Sequence, residues 1–210
     1  MAQKDNASLF SKQALREALL CEIKAPVVME THGGYGELYR RLYSSFRGVV
    51  FESNAKKVEH LAAQRPTWAV YECHAETALR GGVGFHLPVN FVDVDPYGEA
   101  WGVCEALFGN ANHLPDRWAL AVNDGLKRYL MLGRGWKSLA VKRFVGQLGN
   151  DGVVAEYLSI CRILIDELAA EAGFWVSRWA VNSCGHGGQM THFGAVLERG
   201  KAPSRAGGSV

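Results

Sequence analysis

Val27-Val28-Met29-Glu30-Thr31-His32-Gly33-Gly34-Tyr35-Gly36 is the stretch on which the reading of this chain turns. Four residues, Val27 to Glu30, form a short, mostly apolar strand, glycines follow at Gly33, Gly34 and Gly36, and Glu37-Leu38-Tyr39-Arg40-Arg41-Leu42 reads as the start of a helix. Glycines at a strand-to-helix turn permit positive φ and let a ligand approach the main chain, while the helix N-terminus behind them offers unpaired N–H groups. The pattern suits a nucleotide-cofactor cradle, although an ordinary glycine turn between strand and helix has the same form.

Upstream, Phe10, Ala14, Leu15, Ala18, Leu19 and Cys21 recur at helical spacing, predicting a leading helix over Leu9–Ile23 that Lys24-Ala25-Pro26 ends. Downstream, Gly48-Val49-Val50-Phe51 predicts a second strand with Glu52 at its tip and a helix from Ala55 to about Gln64. An acid about 20 residues beyond a glycine turn, at the second strand of a βαβ unit, is placed to accept both hydroxyl protons of a ribose. Trp68–Cys73 reads as a third strand. It ends in His74-Ala75-Glu76-Thr77, where such a fold would put residues against an adenine ring; His74 fits an ordinary loop position equally well. Gly81-Gly82-Val83-Gly84 reads as a turn.

Val89-Asn90-Phe91-Val92-Asp93-Val94-Asp95-Pro96-Tyr97-Gly98 has the pattern of a central strand with two aspartates where it emerges. Pro96 cannot donate to a ladder and stops the strand. The carboxyl ends of strands in open α/β sheets are where ligands bind, so this tip is a candidate site. A helix around Ala100–Phe108 and a fifth strand, Trp118–Asn123, follow.

From Gly125 to Asn150 no acidic residue occurs, while Lys127, Arg128, Arg134, Lys137, Lys142 and Arg143 are interspersed with Tyr129, Trp136 and Phe144. Basic residues mixed with aromatics suit phosphate contact plus base stacking; a solvated helix face with its aromatics turned to the core has the same composition. Val153–Ala172 has helical spacing, Phe174–Asn182 and Met190–Leu197 read as strands of a hairpin around Ser183–Gln189, and Gly200–Val210 reads as a flexible tail. A single domain over residues 1–199, its first 25 residues the leading helix, is expected. It is an α/β fold, a Rossmann-like three-layer sandwich with a mostly parallel seven-stranded sheet and a C-terminal antiparallel β-hairpin.

With 48% hydrophobic residues in 210, the chain can bury a sizeable core, and a net charge of +2 does not by itself announce a nucleic-acid binder. Five widely spaced cysteines suit buried thiols in a reducing compartment better than a disulfide framework. The N-terminus lacks an apolar signal-peptide core, and no stretch approaches the roughly 20 apolar residues of a membrane span, so a cytoplasmic location and no membrane contact are expected. Cys184, His186 and His192 are too unevenly spaced to predict a metal site, and none is expected.

The order of a leading helix, five alternating strands and helices and a terminal hairpin resembles the class I S-adenosylmethionine-dependent methyltransferases, over roughly Pro26–Arg199. Glu30-Thr31-His32-Gly33-Gly34-Tyr35-Gly36 is similar to that family's first motif. The resemblance implies S-adenosylmethionine as cofactor, with Glu30 near the methionine ammonium, His32, Gly33, Gly34 and Gly36 around it, Glu52 at the ribose, Ala75 and Glu76 at the adenine, and Asp93 close by. Tyr39 stands where a dinucleotide fingerprint needs a small residue, which argues against a nicotinamide or flavin enzyme. Asp93-Val94-Asp95-Pro96-Tyr97-Gly98 resembles the fourth motif of methyltransferases acting on exocyclic amino groups of nucleobases, nearest to the tRNA guanine-N2 dimethyltransferases. By that resemblance Asp95 and the Pro96 carbonyl accept hydrogen bonds from the amine and Tyr97 stacks on the base, so Asp95, Pro96 and Tyr97 are the expected catalytic residues. Tyr97 replaces a phenylalanine of that family, and the chain lacks length for its additional C-terminal domain. A nucleic-acid partner, RNA before DNA and guanine-N2 or adenine-N6 as target, is the leading expectation. A small-molecule methyltransferase and a non-catalytic module with the same fold are the alternatives.

Overall fold

Short β-rich segments alternating with amphipathic ones force parallel strands with crossover helices, and the computed structural model, which describes residues 9–184 and 188–202, shows that arrangement. The elements in order are α1 (Leu9–Leu20), β1 (Val27–Glu30), a π-helical turn (Tyr39–Tyr43), β2 (Arg47–Glu52), α2 (Ala55–Gln64), β3 (Trp68–Glu72), α3 (Ala75–Arg80) and β4 (Phe91–Val94). There follow α4 (Trp101–Phe108), a 3-10 turn (Ala111–His113), β5 (Arg117–Asp124), α5 (Leu126–Met131), α6 (Leu139–Ala155), α7 (Tyr157–Glu171), β6 (Phe174–Cys184) and β7 (Met190–Arg199). They build one seven-stranded sheet in the order β3-β2-β1-β4-β5-β7-β6. The first five strands are parallel, and β7 runs antiparallel to both β5 and β6. This is the mostly parallel sheet with an antiparallel hairpin that the sequence predicts.

The strand order reverses between β1 and β4, which both start from the middle of the sheet. Their carboxyl ends, with Glu30 in register with Asp93, therefore flank the switch point at which such sheets open a crevice. Alternation along the strands sends side chains into two apolar layers. Val28, Val50, Phe91, Ala121 and Val196 pack with Leu15 and Leu19 of α1 and Leu61 of α2. Met29, Phe51, Val92, Val94 and Val122 pack on the opposite side with Leu79, Leu107 and Ile165. Gly194 lets α1 lie directly on the sheet, since a Cβ there would stand 2.4 Å from Leu19 Cδ1.

Two predicted helices differ in detail. After the glycine turn the chain is helical from Glu37 as expected, but it passes into a π-helical turn at Tyr39–Tyr43, and this carries Tyr43 down to the sheet. The helix expected over Val153–Ala172 begins at Tyr157, because α6 runs to Ala155, with a kink at Gly149 (φ 69°), and the chain leaves helical geometry at Glu156. Pro203–Val210 of the expected tail, and His186, lie outside the described residues. No described helix is long and apolar enough to cross a membrane.

Candidate active site

The glycine turn is shaped by contact as well as by backbone freedom. A Cβ at Gly33 would sit 2.6 Å from both Leu61 Cδ1 and Val50 Cγ2, so the turn lies tight against α2 and β2. Gly34 and Gly36 adopt positive φ of 55° and 75°. Glu52, at the tip of β2, braces this turn. Its Oε2 accepts from the Gly34 amide at 3.0 Å and its Oε1 from the Asn54 amide at 3.0 Å, and Asn54 in turn caps α2. The glycines and the distant acid are thus in direct contact. His32 is half-buried beside Thr31, whose hydroxyl lies 2.8 Å from Nδ1, and burial lowers its pKa.

Glu30 is 3% exposed and its Oε2 is engaged by Arg65, which enters from the loop after α2 and lies over the rings of Tyr39 and Trp68. Oε1 makes no hydrogen bond among the described residues. Burial pushes the Glu30 carboxyl up from 4.5 to about 7, outweighing the opposite pull of the Arg65 guanidinium. A carboxyl whose pKa is raised on folding holds its proton more tightly in the folded state, so its stabilising contribution is present at low pH and lost as pH rises from 4.5 through 7. Asp124 acts with the same sign, being raised to about 6, but its window closes lower. His192, depressed to about 4, has the opposite sign below pH 6.5. Between pH 6.5 and 8 Glu30 therefore dominates, and thermal stability is expected to fall by about 1 kcal/mol across that interval. Glu30→Gln should be less stable throughout yet show a flat profile there; melting curves at the two pH values check this, and an unchanged slope would contradict it.

The tip of β4 carries two aspartates with separate environments. Asp93 is 1% exposed and bidentate to Arg16 of α1, at 2.7 Å from Nε and 2.5 Å from Nη2, and it also accepts from the Tyr43 hydroxyl at 2.8 Å. Asp95, the next residue on the same face, takes Lys12 Nζ on both oxygens at 2.7 and 2.8 Å and Asn123 Nδ2 at 2.6 Å. Burial alone would raise the Asp95 pKa, but Lys12, Arg16 and Asn123 together outweigh it and hold the carboxyl below its ordinary value. It is an anion at neutral pH, aligned by an amide from β5 and covered by an amine from α1. Pro96 is buried, its carbonyl accepting from the Gly98 amide at 3.1 Å, and Tyr97 is fully exposed.

The leading helix is thus part of the site, through residues that the sequence reading did not single out. Lys12 and Arg16 lie one turn apart on the same face as Leu15 and Leu19, and basic residues on an otherwise buried face were the available signal. Arg65 and Asn123 offered none. Ala75 is buried at the start of α3 and Glu76 is exposed, pairing with Arg80 and filling the space in front of Gly102, so both residues expected at the adenine lie where α3 meets α4. Cys184 Sγ lies 3.2 Å from His192 Nε2 on the strands beyond β5.

The basic window folds as α5, a loop and α6. Arg128, Arg134, Lys137, Lys142 and Arg143 are exposed and Lys127 is half-buried; Tyr129, Trp136 and Phe144 are half-buried against the core. Arg143 pairs with Glu167. This surface adjoins the Asp95 tip, because the Gly125 amide donates to the Gly98 carbonyl at 2.7 Å and the Lys137 amide to Glu99 Oε1 at 2.6 Å.

No protein-family model matches the chain, and no curated protein sequence matches it. Solved structures do. A candidate hemolysin from Streptococcus thermophilus is 15% identical with a TM-score of 0.59, covering 97% of this chain and 70% of that one. The plantazolicin methyltransferase BamL, solved with a triazolic desmethyl-plantazolicin analogue and S-adenosylhomocysteine, is 10% identical with a TM-score of 0.56, covering 91% and 84%. A candidate RNA methyltransferase from Pyrococcus horikoshii, PH1948, is 14% identical with a TM-score of 0.53, covering 91% and 85%. At such identities the likeness establishes architecture, and the chain has the seven-stranded Rossmann-like fold on which the plantazolicin methyltransferase is also built.

Proposed function

We propose that the protein transfers a methyl group from S-adenosylmethionine to an exocyclic amino group of a nucleobase, in RNA before DNA. The observation that carries this reading is Asp95: a part-buried carboxylate at the switch-point edge, held anionic and already accepting N–H groups from the Lys12 ammonium. A site that accepts hydrogen bonds from one amine offers the same acceptors to another. Support for the cofactor comes from the turn. Gly34 has open space beside it, Glu30 Oε1 has no hydrogen-bond partner among the described residues, and Glu52 stands within reach of the same turn.

In this reading Glu30 holds the methionine ammonium, Glu52 the ribose hydroxyls, and Ala75 and the base of α3 the adenine. His32 and Asp93 shape the wall from below. The cofactor supplies an electrophilic methyl on a sulfonium. Asp95 and the Pro96 carbonyl accept the N–H groups of the acceptor amine and leave its lone pair on the opposite side, while the exposed Tyr97 ring meets the base. No strong base is required, since an aryl amine is neutral at pH 7 and its proton can leave after transfer. Lys12 must withdraw from Asp95 for the acceptor to bind.

Nucleic acid is favoured over a small molecule by the exposed cations of α5 and α6, which are joined to the Asp95 tip through Gly98 and Glu99. Labelled methyl transfer to single-stranded RNA should fall steeply between 50 and 200 mM salt, here on the order of 10-fold or more for several phosphate contacts. Transfer without salt dependence would instead point to the small-molecule alternative. Failure to bind S-adenosylmethionine by calorimetry would point to a non-catalytic module.

A further inference from the structure

Thr31 decides which nitrogen of His32 carries the proton. The residue is 1% exposed, and its Oγ1 stands 3.1 Å from the Asp93 carbonyl and 2.8 Å from His32 Nδ1. Two oxygens that close need a proton between them, and the carbonyl has none, so the hydroxyl donates to Asp93. Its oxygen is then left to accept from Nδ1–H. A neutral imidazole has a single N–H, so Nε2 keeps a bare lone pair. Nε2 has no hydrogen-bond partner among the described residues, and it is not shut off from solvent.

The place of that lone pair follows from the sheet. Glu30 and Asp93 are in register, and the Thr31 amide donates to the Asp93 carbonyl at 2.9 Å, so the pairing of β1 with β4 continues past the last residue of β1. Two residues beyond that pair, His32 and Asp95 leave the sheet side by side at the switch point. The charged and titratable groups around the ring are Asp93 and Asp95 at the tip of β4, Glu52 of β2 and His74 before α3, and Asp95 has the largest effect of these. His32 thus stands between the carboxylate proposed to anchor the acceptor amine and the acid proposed to hold the cofactor ribose. Burial outweighs the carboxylates and lowers its pKa from 6.5, so the ring is neutral at pH 7.

We propose that His32 Nε2 is the proton acceptor of the reaction, a catalytic residue that takes the proton shed by the acceptor nitrogen. That nitrogen gives its lone pair to the methyl carbon of the sulfonium, and the carbon–sulfur pair passes to sulfur. The electrons of one N–H bond return to nitrogen as Nε2 takes the proton. The imidazolium so formed is stabilised by the Asp95 and Glu52 carboxylates and passes its proton to water. A weak base is enough, since a methylated aryl ammonium is far more acidic than imidazolium. The inference rests on the amine reading of the acceptor and adds where its proton goes.

Nitrogen-15 NMR of the histidine rings at pH 7 should show His32 neutral and protonated at Nδ1; a ring protonated at Nε2, or an imidazolium, overturns the proposal. With S-adenosylmethionine and single-stranded RNA saturating, kcat should rise with pH along a limb whose midpoint lies below 6.5 and then level off. His32→Gln should lower the plateau by about 10-fold or more and lose that limb. Free imidazole should restore turnover to His32→Ala, which a purely structural role for the ring does not allow. Wild-type turnover of RNA by His32→Gln, or indifference of His32→Ala to imidazole, overturns the His32 role and leaves the reaction reading standing. Transfer to a small aryl amine instead of RNA, impaired in His32→Gln and restored by imidazole in His32→Ala, keeps the His32 role and overturns the nucleic-acid reading.

Discussion

Asp95→Ala is expected to lower methyl transfer by roughly 100-fold or more while S-adenosylmethionine still binds, the loss being of the size seen when one positioned hydrogen-bonding group is removed from a reacting centre. The reason is local. Asp95 lies at the switch-point edge between α1 and β5, and its hydrogen bonds come from groups on those two elements, Lys12 and Asn123. Glu52 and the glycine turn lie on the β2 side and make no hydrogen bond to it among the described residues. Removing the Asp95 carboxyl should therefore leave the cofactor cradle intact and take away the acceptor's anchor. Asp95→Asn should be nearly as impaired, because an amide would turn a donor toward Asn123 or Lys12. Methyl transfer near the wild-type rate in either variant, with cofactor binding retained, would remove Asp95 from the mechanism.

The second large effect is on stability. Arg16 is wholly buried and gives Asp93 both of its oxygen contacts from the guanidinium while Nη1 donates to the Lys12 carbonyl at 3.1 Å. The fixed fork of Arg16 thus links α1 to β4 beneath the candidate site. Arg16→Met leaves the Asp93 charge buried with only the Tyr43 hydroxyl, a loss expected to cost about 3–5 kcal/mol. For a chain of this length that is roughly 10 °C or more in thermal midpoint. Arg16→Met with Asp93→Asn removes both charges and should recover a substantial part of the loss, since an uncompensated charge rather than a missing attraction is the main cost. A double variant no more stable than Arg16→Met would show that packing of the arginine side chain, not its charge, holds α1 in place.

The sheet was legible because its strands are short apolar runs ended by glycine, proline or acids, and the terminal hairpin follows from two alternating segments around a glycine-rich turn. The Gly34 amide donates to Glu52, so the glycine turn and the acid one strand away, which the sequence pattern pairs, are in contact. What the sequence did not reveal depends on tertiary approach. Lys12 and Arg16 reach Asp95 and Asp93 across 83 and 77 residues, and nothing local to either aspartate marks that partnership. Arg65, next to a proline in a loop, gives no sign that it will cross under the glycine turn to Glu30. The break between α6 and α7 falls at Glu156, within a run that favours helix on both sides, so periodicity alone joined the end of α6 to α7. These misses share a cause: buried ion pairs and helix breaks are set by which elements meet, whereas strands and turns are set by neighbouring residues.

Lys12 also changes the reading of the leading helix. A plain packing helix would need only Leu15 and Leu19, both buried against the sheet. Lys12 adds an ion pair to Asp95, which joins α1 to the tip of β4. On the proposed function, occupancy of the site is tied to the position of this N-terminal element.

The most direct test is mass spectrometry of nucleosides from single-stranded RNA incubated with the protein and methyl-labelled S-adenosylmethionine. A nucleoside carrying the label on an exocyclic nitrogen, absent with Asp95→Ala, is the expected result. Label confined to ribose, to a ring nitrogen or carbon, or to no nucleoside at all would contradict it.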